Sequence, residues 1–250
     1  MAEPDTMPNP LRGTLPDTVK ALTFDVGGTV LDWHTGISAA LAETGAARGL
    51  TADWPAVTNA WRRQSLAAML GERKGKLLKM NIDGVHRHVL DAVAKEFGLK
   101  ALSKEERDGL AMSWHRLAPW PDAPEGIARL GKKFTVSTLT ILSRSLIEDV
   151  SRAAPFHWDM VFSCEEINVY KPRPEAYRTG AERLGLAPEQ CMMVACHNFD
   201  LLAAQKVGFR TAFIRRPREW GHEDPPEPNP DPSIDLVADD LNDLAQQLGV

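Results

Sequence analysis

Ala21-Leu22-Thr23-Phe24-Asp25-Val26-Gly27-Gly28-Thr29-Val30-Leu31-Asp32 is the stretch that decides how this chain of 250 residues folds. An apolar run ends in a carboxylate, and two glycines and a threonine follow at once. A buried parallel strand delivers one acidic side chain to the carboxyl edge of its sheet in this way, and the glycines let the backbone turn sharply beside a ligand. Asp25 is the first candidate for a reacting group. For so short a motif the competing reading is an acid that only caps the strand-to-loop turn.

Working outward, the composition is that of an ordinary globular protein, with 34 acidic against 29 basic side chains and a net charge of -5. No basic footprint for nucleic acid and no like-charge tail is present, so a small molecule is the expected partner. No apolar run approaches the roughly 20 residues of a membrane span, and the first 17 residues lack the order of a signal peptide, which predicts a cytoplasmic protein without membrane contact. Cys164, Cys191 and Cys196 are odd in number and unpaired in spacing, so they read as small core residues rather than a disulfide framework or zinc site.

Residues Met1 to Pro16, with four prolines, read as a loosely held arm. A strand from about Val19 to Asp25 follows. Helical patterns then occupy Ile37 to Arg48, Trp54 to Leu70, Val85 to Phe97, and Ser103 to His115, the last opening on a Ser-x-x-Glu capping box. From Pro119 the pattern alternates. Strands are expected at Phe134–Thr140, Met160–Ser163, Met192–Ala195, Thr211–Ile214 and Leu236–Val237, and helices at Ser145–Ala154, Pro174–Leu184, Leu201–Val207 and Leu241–Leu248. Such alternation predicts an α/β, Rossmann-like core with a parallel sheet flanked by helices. The expected division is a core of 1–34 and 119–250, interrupted by a helical cap of 35–118. Residues 221–232, with five prolines, read as an extended surface loop.

Ligands of an open parallel sheet bind beyond the carboxyl ends of its strands. Those positions carry Asp25; Thr138 and Thr140; Lys171 in Tyr-Lys-Pro-Arg-Pro; and His197 and Asp200 after Met192–Cys196. A nucleophilic carboxylate, an anion-binding hydroxyl, a lysine that keeps carboxylates ionised and a second acid suit displacement by aspartate followed by hydrolysis. In this order the four motifs resemble the haloacid dehalogenase superfamily over most of the chain.

Phosphatases of that superfamily carry a second aspartate two residues after the nucleophile, to protonate the leaving alcohol; here the position is Gly27. A halide needs no proton, so the chain is more similar to the type II 2-haloacid dehalogenase branch. In that branch an aromatic often stands where Gly27 does, followed by Gly-Thr, as Gly28-Thr29 follow here. Trp61-Arg62-Arg63-Gln64-Ser65 is similar to the segment whose arginine receives the departing halide, which assigns that role by resemblance to Arg62. The family's spacing points likewise to Tyr177 as a site tyrosine, with an ordinary helix residue as its alternative. Two departures stand out: Ile141 replaces an amide after the second strand, and Ala195-Cys196-His197 replaces Ser-Ser-Asn ahead of the acid Asp200.

The resemblance implies the following chemistry. Asp25 attacks the halogen-bearing carbon of a short 2-haloacid, giving an ester. Thr140 and the Gly27-Gly28 backbone hold the substrate carboxylate, and Arg62 accepts the halide with His34, His197 and Trp33. Water guided by Asp200 or His197 cleaves the ester, while Lys171 keeps the carboxylates ionised. No cofactor is expected; magnesium on Asp25 and Asp200 belongs to an alternative, phosphate-ester hydrolysis. A further alternative is a relative that binds its ligand without turnover. Trp61 and Trp114 read as core of the insertion, whose tryptophans could also form a homodimer contact.

Overall fold

The computed structural model describes residues 18–70, 80–154 and 157–250. The expected N-terminal arm, Met1 to Pro16, lies outside them. Among the described residues five parallel strands, β1 (Ala21–Phe24), β2 (Thr135–Thr138), β3 (Cys191–Ala195), β4 (Arg210–Ile214) and β5 (Leu236–Ala238), form one sheet in the order β2-β1-β3-β4-β5. Every residue of β1 and β3 is buried, as strands covered on both faces must be, and this is why their sequences are unbroken runs rather than alternations.

β1 is followed in space by β2 on one side and β3 on the other, with Phe24 in register with both Thr138 and Val194. The strand order therefore reverses beside β1, and the crevice at that reversal, beyond the carboxyl edge, is the natural ligand site of such a sheet. Asp25 is the first residue past β1, and its N–H still donates to Val194 O at 2.9 Å.

Between β1 and β2 lie helices α1 (Trp33–Ala47), α2 (Trp54–Leu70), α3 (Ile82–Glu96) and α4 (Lys104–Ala111), the last continued by a 3-10 turn, Met112–Arg116. α1 starts four residues before the expected Ile37 because Asp32 caps it, accepting the Thr35 N–H at 3.1 Å. The capping box is present: Ser103 Oγ accepts the Glu106 N–H at 3.2 Å and Glu106 Oε2 accepts the Ser103 N–H at 2.7 Å. Trp61 and Trp114 are buried, their rings edge-to-face at 5.6 Å, in the interior of this helical segment.

Beyond β2 come α6 (Arg144–Ala153), α7 (Pro174–Arg183), α8 (Asn198–Gln205) and α9 (Leu241–Gln247). One expectation is corrected. The strand expected at Met160–Ser163 is not formed; that segment makes only isolated bridges, Ser137 to Met160 and Thr140 to Ser163. The Thr138 hydroxyl stands in for the ladder, accepting the Phe162 N–H at 2.9 Å and donating to Phe162 O at 3.1 Å. α5 (Ala123–Leu130), where no element was expected, leads into β2; Pro124 falls in its first turn, where no N–H is needed.

His115, in the 3-10 turn, lies 2.6 Å from Asp149 of α6 and 3.5 Å from Asp83 of α3. Asp83, with Asp149, raises its pKa against the opposing effect of burial. The stability it contributes is thus complete below its ordinary value of 6.5 and is lost as pH rises through the higher folded-state value. Urea unfolding of the native protein and of His115→Gln should differ most in mild acid and converge toward alkaline pH.

Candidate active site

Lys171 is the hub of the site. Its ammonium donates to Asp25 Oδ1 at 2.9 Å and to Asp200 Oδ2 at 2.5 Å, and all three side chains are buried. Burial opposes ionisation of Asp25, but Lys171 and then His197 outweigh it and hold its pKa well below the ordinary carboxylate range. Burial likewise opposes charge on Lys171, yet Asp200 and Asp25 keep it firmly protonated. Burial and the negative charge of Asp25 push Asp200 up, and Lys171 restrains the rise. The product is an ionised, buried carboxylate at Asp25, the state a carbon nucleophile needs.

Thr29 donates to Asp25 Oδ2 at 3.0 Å and accepts the Cys196 N–H at 3.0 Å, tying the β1 turn to the end of β3. Tyr177 donates to Asp200 Oδ1 at 2.6 Å. Both Asp200 oxygens are therefore engaged, and Tyr177 orients the acid from behind. A small cavity of about 20 Å³ opens in front of Asp25, walled by Gly27, Arg62, Leu66, Ile141, Lys171, His197 and Phe199. It has room for about one water.

Arg62 of α2 is buried against the Trp33 and Trp114 rings, 5.4 and 5.8 Å from their centroids. Its Nη2 donates to Gly27 O at 3.2 Å, whereas Nε and Nη1 have no partner. A buried guanidinium with free donors in a cavity wall is an anion acceptor. The space left by the absent side chain at position 27 belongs to this guanidinium, since a Cβ on Gly27 would sit 3.3 Å from Arg62 Nη2.

Other expected residues are placed differently. Trp33 is fully buried and donates through Nε1 to Glu219 at 3.0 Å instead of facing the cavity. His34 is buried with Nε2 unpartnered, packed toward Gly221, and is not among the cavity walls. The Thr140 hydroxyl accepts the Leu142 N–H at 3.1 Å, so its neighbour Ile141 lines the cavity. The Gly28 N–H donates to Leu31 O at 3.2 Å. Cys164 and Cys191 are buried as expected, but Cys196 touches the site, its sulfur 3.4 Å from Thr29 Oγ1 and 3.7 Å from Glu219 Oε2.

Glu219 was not singled out by the sequence. It follows β4 by five residues and is buried against the end of β3, accepting from Trp33 and lying 3.0 Å from His197 Nε2. Burial raises its pKa, but His197, Arg62 and Trp33 lower it further, so it is ionised. His197 faces Asp25 Oδ2 with Nδ1 at 3.3 Å. The signal for Glu219 is weak: one acid in Pro-Arg-Glu-Trp-Gly, visible only once β4 is seen to neighbour β3. Arg216 was also missed; it is buried, paired with Asp122, and donates to Thr29 O at 3.0 Å.

Gly28 must be glycine on two counts. Its φ is +103°, and a Cβ would lie 2.1 Å from Glu219 Oε1. Gly28→Ala is expected to cost about 1–3 kcal/mol in strain and to push Glu219 off Trp33 and His197. Thermal unfolding and turnover of the variant check this together.

The haloacid dehalogenase-like hydrolase model matches residues 19–208. A solved defluorinating L-2-haloacid dehalogenase is 37% identical and superposes with a TM-score of 0.87 over 93% of this chain and 96% of that one. A second L-2-haloacid dehalogenase is 36% identical, with a TM-score of 0.85 over 92% and 98%. The (S)-2-haloacid dehalogenase 4A of Burkholderia cepacia is 27% identical over 207 residues, 80% of this chain and 84% of its own. With the family model matching residues 19–208 and solved relatives of 37% and 36% identity covering 93% and 92% of it, the chain belongs to the haloacid dehalogenase-like hydrolases.

Proposed function

We infer that the protein hydrolyses the carbon-halogen bond of short 2-haloacids of the haloacetate type through an ester on Asp25. The observation that carries this is a buried, ionised Asp25 sharing a small cavity with a buried arginine that has free donors. A phosphatase needs an acid for its leaving alcohol, and Gly27 with Arg62 against it supplies none. The Leu66, Ile141 and Phe199 walls give the cavity an apolar side suited to the carbon and halogen of a short acid.

Magnesium fits the donors poorly. Lys171 already stands between Asp25 and Asp200, and Tyr177 holds the remaining Asp200 oxygen. The ammonium does the work a divalent ion would do on these carboxylates. Cys196, His197 and Glu219 form a group whose ligand atoms lie within 4.8 Å of one another, but they offer a softer set than magnesium takes.

In this mechanism Asp25 displaces the halide, and Arg62 stabilises charge only as the bond breaks, which lowers the barrier rather than tightening ground-state binding. Lys171 has a third N–H for the substrate carboxylate. The helices between β1 and β2 act as a cap, since α2 brings Arg62 and Leu66 over Asp25 and excludes water. No helix among the described residues is long and apolar enough to cross a membrane.

The test is halide release from fluoroacetate, chloroacetate and each enantiomer of 2-chloropropionate, with an aryl phosphate plus magnesium as control. Release from the haloacids alone supports the reading; turnover of the phosphate alone overturns it. Arg62→Ala should lower first-turnover halide release by about 10²–10³-fold, measured by rapid quench.

A further inference from the structure

The hydrolysis of an Asp25 ester requires a base for the attacking water, and two groups near Asp25 have the right chemistry. Asp200 is poorly placed for it. Its Oδ1 is held by Tyr177 at 2.6 Å, its Oδ2 by Lys171 at 2.5 Å, and it is absent from the cavity walls. His197 is in the cavity wall, beside Asp25. Its two ring nitrogens face two different carboxylates, Asp25 through Nδ1 at 3.3 Å and Glu219 through Nε2 at 3.0 Å. Glu219 is immobilised in turn by the Trp33 indole and faces the Arg62 charge.

We propose that Glu219 and His197 form the base of the second half-reaction, with Glu219 accepting Nε2–H so that Nδ1 is presented to the water that attacks the Asp25 ester. This rests on the aspartyl-ester reading above and assigns a step that reading leaves between two residues. His197 touches the reacting water; Glu219 is a positioning residue acting through it. The geometry is that of an imidazole held by a buried carboxylate on one side and facing the reacting group on the other.

The charges give the order of proton movements. The groups facing His197 are Asp25 at the end of β1, Cys196 after β3 and Glu219 after β4, with Arg62 of α2 and Lys171 balancing the two carboxylates. Burial lowers the pKa of His197, but the Cys196 sulfur, Glu219 and Asp25 raise it well above its ordinary value. Burial and Glu219 keep Cys196 itself as the thiol, so the two carboxylates hold the imidazolium in the resting enzyme.

Displacement then forms the bond from the Asp25 oxygen to carbon and breaks carbon-halogen, the electron pair leaving with the halide. Asp25 becomes a neutral ester. His197 has lost one of its two anions and releases the Nδ1 proton to solvent. Water next adds through oxygen to the Asp25 carboxyl carbon while giving one proton to Nδ1. The alkyl-oxygen leaves, taking the proton of the Asp25 acid as the hydroxyacid departs. Asp25 carboxylate and His197 imidazolium are restored, and one proton and one halide have been released for each water consumed.

The experiment is rapid quench of the full chain with chloroacetate, following free chloride and, by intact mass, the carboxymethyl ester. His197→Asn and Glu219→Gln should each release about one chloride per protein in the first turnover, then turn over about a hundredfold or more slowly with the ester accumulated. In the unsubstituted enzyme, lowering pH should protonate His197 in the ester state and raise the fraction of ester at steady state. That measurement decides the matter should either variant fail to fold, and a pH-independent ester fraction overturns the proposal. So do variants that turn over at the parent rate, and so does ester accumulation in Asp200→Asn but not in His197→Asn. Absence of chloride release by the unsubstituted enzyme across haloacids overturns the aspartyl-ester reading itself, a different result from chloride release with unaffected variants.

Discussion

Asp25→Asn is expected to abolish halide release, lowering turnover by about 10⁴-fold or more, the loss typical of removing a covalent nucleophile. The amide nitrogen is not nucleophilic, and it can no longer accept from Thr29, Lys171 and His197 together. Fold should survive, because the shape is kept and Asp200 remains to balance Lys171 at 2.5 Å. Circular dichroism unchanged beside a chloride electrode trace at background is the expected pair of results. Intact mass should show no ester at any time. Residual turnover near the parent rate would remove Asp25 from the chemistry and leave it the turn cap that its position after β1 also allows.

The second large effect is expected of Lys171→Met, on stability and activity at once. Lys171 is 2% exposed and separates two buried carboxylates. Without it they face each other uncompensated, a loss of about 3–5 kcal/mol for breaking a buried ionic cluster. Two buried carboxylates that have lost the cation between them resist being ionised together, so one acid is expected to be protonated at neutral pH. Where the proton goes to Asp25, the nucleophile is gone; turnover should fall by about 10³-fold or more.

The sign with pH follows from Asp25. Its folded-state pKa lies below its ordinary value of 3.8, so its stabilisation is complete above that value and is lost as pH falls through the folded one. Removing Lys171 removes the larger part of that depression, leaving His197, and the acid unfolding midpoint should move to higher pH. Urea titrations at pH 7 and acid titrations followed by tryptophan fluorescence measure both shifts. An acid midpoint equal to that of the parent would show that Lys171 does not hold Asp25 ionised.

Much of this site was legible because each strand announces itself. A fully covered parallel strand must be apolar throughout, so the run from Ala21 to Phe24 and its terminal Asp25 stand out without any knowledge of neighbours. Cap signals and helical spacing are local as well, which is why the Ser103 box and the apolar repeat from Trp54 to Leu70 coincide with the structure. Met160–Ser163 misled for the complementary reason. Its apolar character is real, but a side-chain hydroxyl, Thr138, replaces the ladder that would have made it a strand.

What the sequence by itself determined is the set of groups that the chain delivers to one edge of the sheet: Asp25, Lys171 and Asp200, with Gly27 where a phosphatase would carry an acid. Those follow from patterns only a few residues long, which the backbone translates directly into place. The tertiary structure alone decided what surrounds them. Arg62, 35 residues away along the chain, fills the space beside Gly27 and bonds its carbonyl. Glu219 reaches His197 from 22 residues away, because β4 lies beside β3. The segment around Arg62 marked that residue by resemblance, but what it packs against, and Glu219 altogether, are chosen by strand order and by a helix folding back over the sheet, long-range contacts that short sequence patterns do not encode.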